Sequence, residues 1–284
     1  MPDLATTVAL LVSDGARRLH LAGVVEPRRE AIRLWAGITN GYAADVALQG
    51  EQLVDGPTET RYERAIARRS AGEPLAHVTG MIGFRKLELI SDARALIPRP
   101  ETEGLIDLLL ERVPTGRIVD VGTGSGCIAL SLLQEGSFDE VVAVDHSAAA
   151  LALAKLNCES TGLRPRLVQA DMCQPLKERA FDALVSNPPY LTEAEYRDLD
   201  PSVGVWEPEL ALVSGTDGMF ATKRLLDEGR DVLSPGGWLA LEIDCNRAAT
   251  TAAQAGALGW QDVSVHVDLF GRERYLLARR SNTR

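Results

Sequence analysis

From Arg117 onward the chain alternates short apolar runs with longer helical stretches, and this alternation leaves it few architectures. Short runs with apolar and β-branched members at 118–121, 140–145, 166–169, 181–186 and 237–243 read as strands, with two more at 263–267 and 275–278. Between them, 127–135, 148–161 and 219–232 carry helical spacing. Strand and helix in alternation is the pattern of a parallel sheet. The expected fold class is α/β, with a mostly parallel sheet of about seven strands. There is no internal repeat and no low-complexity segment.

One of these strands ends in an unusual turn. The run FDALVSNPPY, 181–190, begins as a buried strand and then meets Asn187, Pro188 and Pro189. Proline has a fixed φ and no N–H, and it pushes the residue before it out of the α region. The result is a stiff turn at the carboxyl end of a strand, the edge where open α/β sheets bind ligands. The Asn187 side-chain carbonyl and the Pro188 backbone carbonyl are two rigid acceptors, and Tyr190 adds an aromatic face. Such a set can hold a planar NH2 group, one N–H to each oxygen. The nitrogen becomes tetrahedral and more positive as it attacks a carbon, and two carbonyl dipoles favour that change. The bland reading of NPPY is a loop turn.

The first strand of the alternation runs into VDVGTGSGCIAL. Gly122, Thr123, Gly124, Ser125 and Gly126 form a glycine-rich turn that opens a helix at about Cys127. Glycines let a ligand approach the backbone, and a helix N-terminus offers free N–H groups. Asp145 ends the next strand, 21 residues past Gly124, a spacing that suits an acid binding ribose hydroxyls. The turn is G-x-G-x-G, without the second spacer of the dinucleotide fingerprint and without the Lys-Ser/Thr of a phosphate loop. A cofactor with a ribose and no pyrophosphate fits better, namely S-adenosylmethionine. Asp171 and Met172 follow the third strand, placed to meet an adenine with an acid and an apolar face. Neighbouring strand ends share one cleft, so these residues and the NPPY turn form one set.

The amino-terminal part has a different pattern. Residues 4–75 read as short amphipathic helices: Leu4, Val8, Leu11 and Val12 at helical spacing, then 28–38, then 58–71 capped by Thr58 or Thr60. The expected organisation is a helical bundle at 1–75, a hairpin and linker helix at 76–112, and a cofactor-binding domain at 113–284. The hairpin is expected from 81–89 and 95–98, and the helix from 101–112.

Charge and cysteine usage narrow the function. The formal net charge is −10, a poor basis for gripping nucleic acid through its phosphates. Residues 1–75 hold nine Arg against ten Asp and Glu, so the acidic excess lies in the rest. Cys127, Cys158, Cys173 and Cys245 are widely spaced, so no metal site and no disulfide is expected. No run approaches a membrane span, and MPDLATTVAL lacks the features of a signal peptide. The expectation is a cytoplasmic protein, a monomer, with no direct nucleic-acid or membrane contact.

These residues resemble the S-adenosylmethionine-dependent methyltransferases. EPLAHVTG, LIPRPETE, VDVGTGSGCIALSL, FDALVSNPPY, WEPELAL and DLFGRERYLLA resemble one branch more closely, the release factor glutamine methyltransferases (the PrmC/HemK family). The likeness covers roughly 73–280; the helical 1–72 matches in size and character. NPPY is shared with DNA adenine methyltransferases, whereas IPRPETE just before the cofactor domain is more specific. The resemblance implies a Rossmann-like methyltransferase fold. It implies methyl transfer to the N5 amide nitrogen of the glutamine in the Gly-Gly-Gln loop of class I peptide chain release factors. Carried over by motif, Gly122–Gly126, Asp145, Met172 and Asn187 contact the cofactor. Asn187, Pro188, Pro189 and Tyr190 hold the substrate glutamine, and Arg99, Pro100 and Glu101 close one side of the cleft. Leu241-Glu242-Ile243-Asp244-Cys245-Asn246 stands where the family usually has a Glu-Ile-Gly stretch with a downstream Gln, Glu242 being retained, and Met172 stands where an aromatic is often seen.

Other readings stay open on the sequence: glutamine methylation of a ribosomal protein, adenine methylation of nucleic acid by base flipping, or a module that binds without catalysis. His20, His77, His146 and His266 are scattered and read as ordinary polar residues. Trp206 and Glu207 are candidates for shaping the cleft. Arg61, Arg64, Arg68 and Arg69 read as a solvated helix face or a docking face.

Overall fold

The computed structural model describes residues 6–176 and 180–282. Its helices are α1 (Val8–Leu21), α2 (Pro27–Thr39), α3 (Asp45–Leu48), α4 (Gly56–Ser70), α5 (Leu75–Thr79), α6 (Pro100–Arg112), α7 (Cys127–Glu135), α8 (Ala148–Thr161), α9 (Glu193–Arg197), α10 (Pro201–Gly204), α11 (Phe220–Val232) and α12 (Ala248–Ala257). Its strands are β1 (Met81–Phe84), β2 (Leu87–Ile90), β3 (Thr115–Val121), β4 (Ser137–Asp145), β5 (Arg166–Gln169), β6 (Phe181–Ser186), β7 (Leu233–Glu242), β8 (Gln261–Val267) and β9 (Glu273–Arg279). They group into two compact units, Met1–Met81 with Asp200–Trp206, and Ile82–Leu199 with Glu207–Arg284.

The first unit is helical. Val8, Leu11, Val12 and Leu19 of α1 recur at a spacing that puts them on one face. They pack on Leu34 and Trp35 of α2 and on Tyr62, Ala65 and Ile66 of α4. Trp35 and Tyr62 meet edge to face at 5.7 Å, and the Tyr62 hydroxyl donates to the Ala31 carbonyl at 3.2 Å. Leu4, expected on the α1 face, lies outside the described residues. The cap of α4 is neither threonine proposed from the sequence. It is Asp55, whose Oδ1 accepts from the Thr58 N–H at 2.8 Å. A carboxylate three residues upstream satisfies a free N–H and also favours the helix dipole. Two of the four arginines on α4 are committed within the unit. Arg69 pairs with Glu30 of α2, and Arg68 with Glu73, each at 2.5 Å.

In the second unit seven strands form one sheet in the order β5-β4-β3-β6-β7-β9-β8. The pairs from β5 to β7 are parallel, and β9 runs antiparallel to both β7 and β8. Successive side chains of a strand point to opposite faces, and here both faces are buried. Ala183 and Val185 of β6 join a core with α6 and α7, while Phe181 and Leu184 join another with α11 and α12. That is why 181–186 reads as a continuous apolar run.

Several boundaries differ from the apolar pattern. β3 and β4 start three residues early, pairing Thr115 with Ser137. Ladder bonds are made by the backbone, so polar residues extend a strand beyond its apolar stretch. The Ala- and Thr-rich α12 has no large apolar stripe to mark it. The hairpin also differs. It consists of β1 and β2, joined at Arg85 and Lys86. Arg85, at φ 52, is held there by Glu103, Asp107 and Glu135. Residues 95–98 form no strand.

The chain passes β3, β4 and β5 outward on one side, then returns to place β6 on the other side of β3. The order therefore reverses at β3 and β6, and ligands bind at such a switch point, beyond the carboxyl ends of the strands.

Candidate active site

A cleft of about 440 Å3 lies at that edge, within the range that encloses a small ligand. Gly122, Thr123, Gly124, Ser125, Asp145, Asp171, Met172, Asn187 and Pro189 line it. The expected site residues Gly126, Pro188 and Tyr190 are outside that lining.

The glycine turn is built by local rules. Gly122, Gly124 and Gly126 have φ of 74°, 56° and 84°, values that L side chains rarely adopt. The Gly122 and Thr123 N–H groups both donate to the Val144 carbonyl, at 2.8 and 2.9 Å. This ties the turn to the end of β4. Gly126 serves packing: a Cβ there would sit 3.4 Å from both Ala154 of α8 and Leu130 of α7. Asp145 fastens the next strand end. Its two carboxylate oxygens accept from the Gly124 and Ser147 N–H groups, each at 2.8 Å. Each oxygen has a second lone pair for a ligand hydroxyl. A Cβ on Gly124 would lie 3.7 Å from Ala95, another wall residue. Glycine there keeps the backbone open to a ligand. Acid acceptors, exposed backbone and apolar walls in one cleft suit the ribose, amino-acid tail and adenine of S-adenosylmethionine.

Asp171, expected to meet an adenine, is not free. Arg224 of α11 donates to it at 2.8 Å and lies over the Phe220 ring at 5.8 Å. Phe220 is 59% exposed and lines the same cleft. The sequence reading missed this aromatic, because a phenylalanine opening a helix carries no signal of its own. It supplies a flat apolar face in the cleft that Met172 also lines.

At the end of β6, Ser186 Oγ donates to the Val121 carbonyl at 2.6 Å and locks β6 to β3. Asn187 then donates through Nδ2 to Thr102 Oγ1 at 3.0 Å. No described residue donates to Asn187 Oδ1 or to the Pro188 carbonyl. Pro188 is buried and Tyr190 half-buried. The Tyr190 phenol is pushed up to about 12, chiefly by burial and also by Glu242, so it stays protonated. Arg99, Glu101, Glu242 and Arg274 all act on it electrostatically. Tyr190 is therefore within electrostatic reach of charged groups and outside the cleft lining.

Of the two residues expected to shape the cleft, Glu207 does so. Glu207, buried, accepts from the Ile97 N–H at 2.9 Å and from Arg99 at 2.5 Å. It therefore shapes the 97–99 wall of the cleft, whereas Trp206 belongs to the helical unit. The departure at 244–246 is structural. Asp244 accepts from the Asn246 N–H and pairs with Arg247. Arg247 in turn binds Glu195 at 2.7 Å and the Asp217 carbonyl at 3.0 Å, both in the segment after NPPY.

Asp120, wholly buried beneath the glycine turn, accepts from Thr123 Oγ1 at 2.6 Å and the Ala129 N–H at 3.2 Å. Burial outweighs these bonds and pushes its carboxyl up to about 7. In the unfolded chain the value is about 4. The folded state therefore holds an extra proton between about pH 4 and 7, and stability falls as pH rises through that window. The melting-temperature advantage of wild type over Asp120→Asn is expected to shrink across it. A constant difference between the two melts would contradict this.

A mostly parallel seven-stranded sheet with a glycine-turn cleft at its switch point and an Asn-Pro-Pro-Tyr turn on its rim is a Rossmann-like methyltransferase. The "Methyltransferase small domain" model matches residues 101–199, and the "PrmC N-terminal domain" model matches 11–80. A solved methyltransferase from Pyrococcus furiosus shares the fold at a TM-score of 0.54 and 20% identity, covering 80% of this chain and 100% of that one. A release factor glutamine methyltransferase from Deinococcus radiodurans is 40% identical over 95% of this chain and 98% of its own. Another, from Moorella thermoacetica, is 38% identical over 96% of this chain and 99% of its own. The chain belongs to the release factor glutamine methyltransferase family.

Proposed function

We propose that the protein transfers a methyl group from S-adenosylmethionine to the N5 amide nitrogen of the glutamine in the Gly-Gly-Gln motif of class I peptide chain release factors. The observation that carries this reading is a pair of rigid acceptors, Asn187 Oδ1 and the Pro188 carbonyl, to which no described residue donates. They stand on the rim of a cleft suited to the cofactor. When bound, S-adenosylmethionine supplies a methyl group on a positively charged sulfur. The glycine turn offers the amino-acid tail an open backbone, Asp145 accepts from ribose hydroxyls, and Asp171, Met172 and Phe220 surround the adenine.

Asn187 and Pro188 each take one N–H of the substrate NH2, Pro189 stiffens the turn, and the Tyr190 ring packs on the amide. An amide nitrogen is a poor nucleophile because its lone pair is delocalised. Two fixed carbonyl dipoles favour the pyramidal, positive nitrogen of the transition state. Once methylated, that nitrogen is acidic and releases a proton to water, so no general base is needed. Holding both partners in line supplies several kcal/mol more. The helical unit, matched by its own family model, is the surface on which the release factor docks.

The test is incubation with labelled S-adenosylmethionine and purified class I release factors, followed by mass spectrometry. A gain of one methyl on the Gly-Gly-Gln glutamine is expected. Label on a ribosomal protein or on nucleic acid instead would replace this reading.

A further inference from the structure

The Asn187 amide can serve as an acceptor only in one of two orientations. A half-turn about its last side-chain bond exchanges the oxygen for an NH2 of nearly the same size. In that flipped form it would present N–H to the substrate's N–H and repel it. Something must select the productive form.

Thr102, in the first turn of α6, accepts from Asn187 Nδ2 at 3.0 Å and donates to Glu242 Oε2 at 2.7 Å. Both Thr102 and Glu242 are 2% exposed, so no bulk water competes. Each group in this chain has its direction set by the next. An ionised carboxylate accepts only. The Thr102 hydroxyl proton must therefore point at Glu242, which leaves its oxygen to accept. The group it accepts from must be the Asn187 NH2, and Oδ1 is then turned away from Thr102. We infer that Thr102 and Glu242 are positioning residues that fix the polarity of Asn187, so that its carbonyl, not its NH2, meets the substrate amide.

This deepens the proposed reaction and rests on it. It also predicts a dependence on pH. Protonated Glu242 can donate to Thr102, which can then donate to Asn187 Oδ1, and the productive orientation loses its advantage. The charged and titratable groups acting on or around Glu242 are Arg99 and Glu101 of the α6 start, Cys127 of α7, Tyr190 after β6, and Arg274 and Tyr275 of β9. Burial, only partly opposed by the bond from Thr102 and by Arg274, raises its carboxyl to about 7. Methyl transfer should rise with pH as this group ionises.

The test uses the full chain and a purified release factor. Thr102→Val removes the hydroxyl and keeps the shape, and is expected to lower kcat by about 10- to 100-fold, the range of a lost orienting partner. KM for the release factor and Kd for the cofactor should stay within about threefold, since those contacts remain. Thr102→Ser restores the hydroxyl and should recover most of kcat. Glu242→Gln, which can donate or accept, should lower kcat and flatten the acid limb of its pH profile. If Thr102→Val fails to fold, the pH profile of Glu242→Gln decides. An independent readout is the Asn187 side-chain NH2 signal in 15N-labelled protein without substrate. One slowly exchanging proton is expected, lost in Thr102→Val and retained in Thr102→Ser.

Wild-type kcat in Thr102→Val, or an unchanged acid limb in Glu242→Gln, would overturn the inference. Absence of release factor methylation by wild type would sink the proposed reaction instead. The Asn187 signal would still report on the polarity: its being the same in Thr102→Val as in wild type would overturn it.

Discussion

Asn187→Ala is expected to lower kcat for glutamine methylation by about 10²- to 10³-fold, the loss typical of removing one preorganised dipole from a transition state. Cofactor Kd should change by less than about threefold, because the glycine turn and Asp145, proposed to carry the cofactor's polar contacts, are untouched. The split follows from timing. The dipole matters most when positive charge develops on the nitrogen, and less when a neutral amide merely rests there. Stopped-flow binding and single-turnover transfer separate the two quantities. Equal losses in both would mean that Asn187 acts by holding cofactor rather than by stabilising the attacking nitrogen.

Asn157→Leu is expected to be strongly destabilising. Asn157, on α8, has no exposed surface. Its Oδ1 accepts from the Ile90 N–H at 2.7 Å, and its Nδ2 donates to the Ile90 and Ser125 carbonyls at 3.1 and 3.0 Å. Leucine would leave one backbone donor and two carbonyls without these partners. Each costs about 1–3 kcal/mol, so together at least about 3. For a unit of this size, that lowers the melting temperature by roughly 10 °C. Ser125 is in the glycine turn, so cofactor affinity should weaken as well. A melting temperature within about 2 °C of wild type would show that the structure relaxes to satisfy these groups.

Much of the site is legible in the sequence, for a local reason. The φ values of Gly122, Gly124 and Gly126 and the rigidity of Pro188 and Pro189 are set within a few residues. The positions of Asp145 and Asn187 follow from being at strand ends. The alternation from Arg117 likewise marks the α/β sheet, because strands buried on both faces must be apolar throughout. Errors arise where the backbone, not the side chain, makes the structure. Thr115 and Ser137 extend their strands without apolar character, and 95–98, apolar enough for a strand, is a loop. The α4 cap is expected at a threonine, whereas the acceptor is Asp55 just before it.

The sequence on its own therefore determined the class of fold, the glycine turn and the rigid Asn-Pro-Pro-Tyr corner, since those depend on near neighbours and on the period of the apolar residues. Only the tertiary structure decided which polar side chains serve the corner. Thr102 meets Glu242 across 140 positions and Asn187 across 85, Glu207 meets Ile97 across 110, and Asn157 meets Ser125 across 32. Such pairs have no period and no local propensity. They exist because the parallel sheet brings distant strand ends to one edge, where a buried polar group must find whatever partner the fold sets beside it.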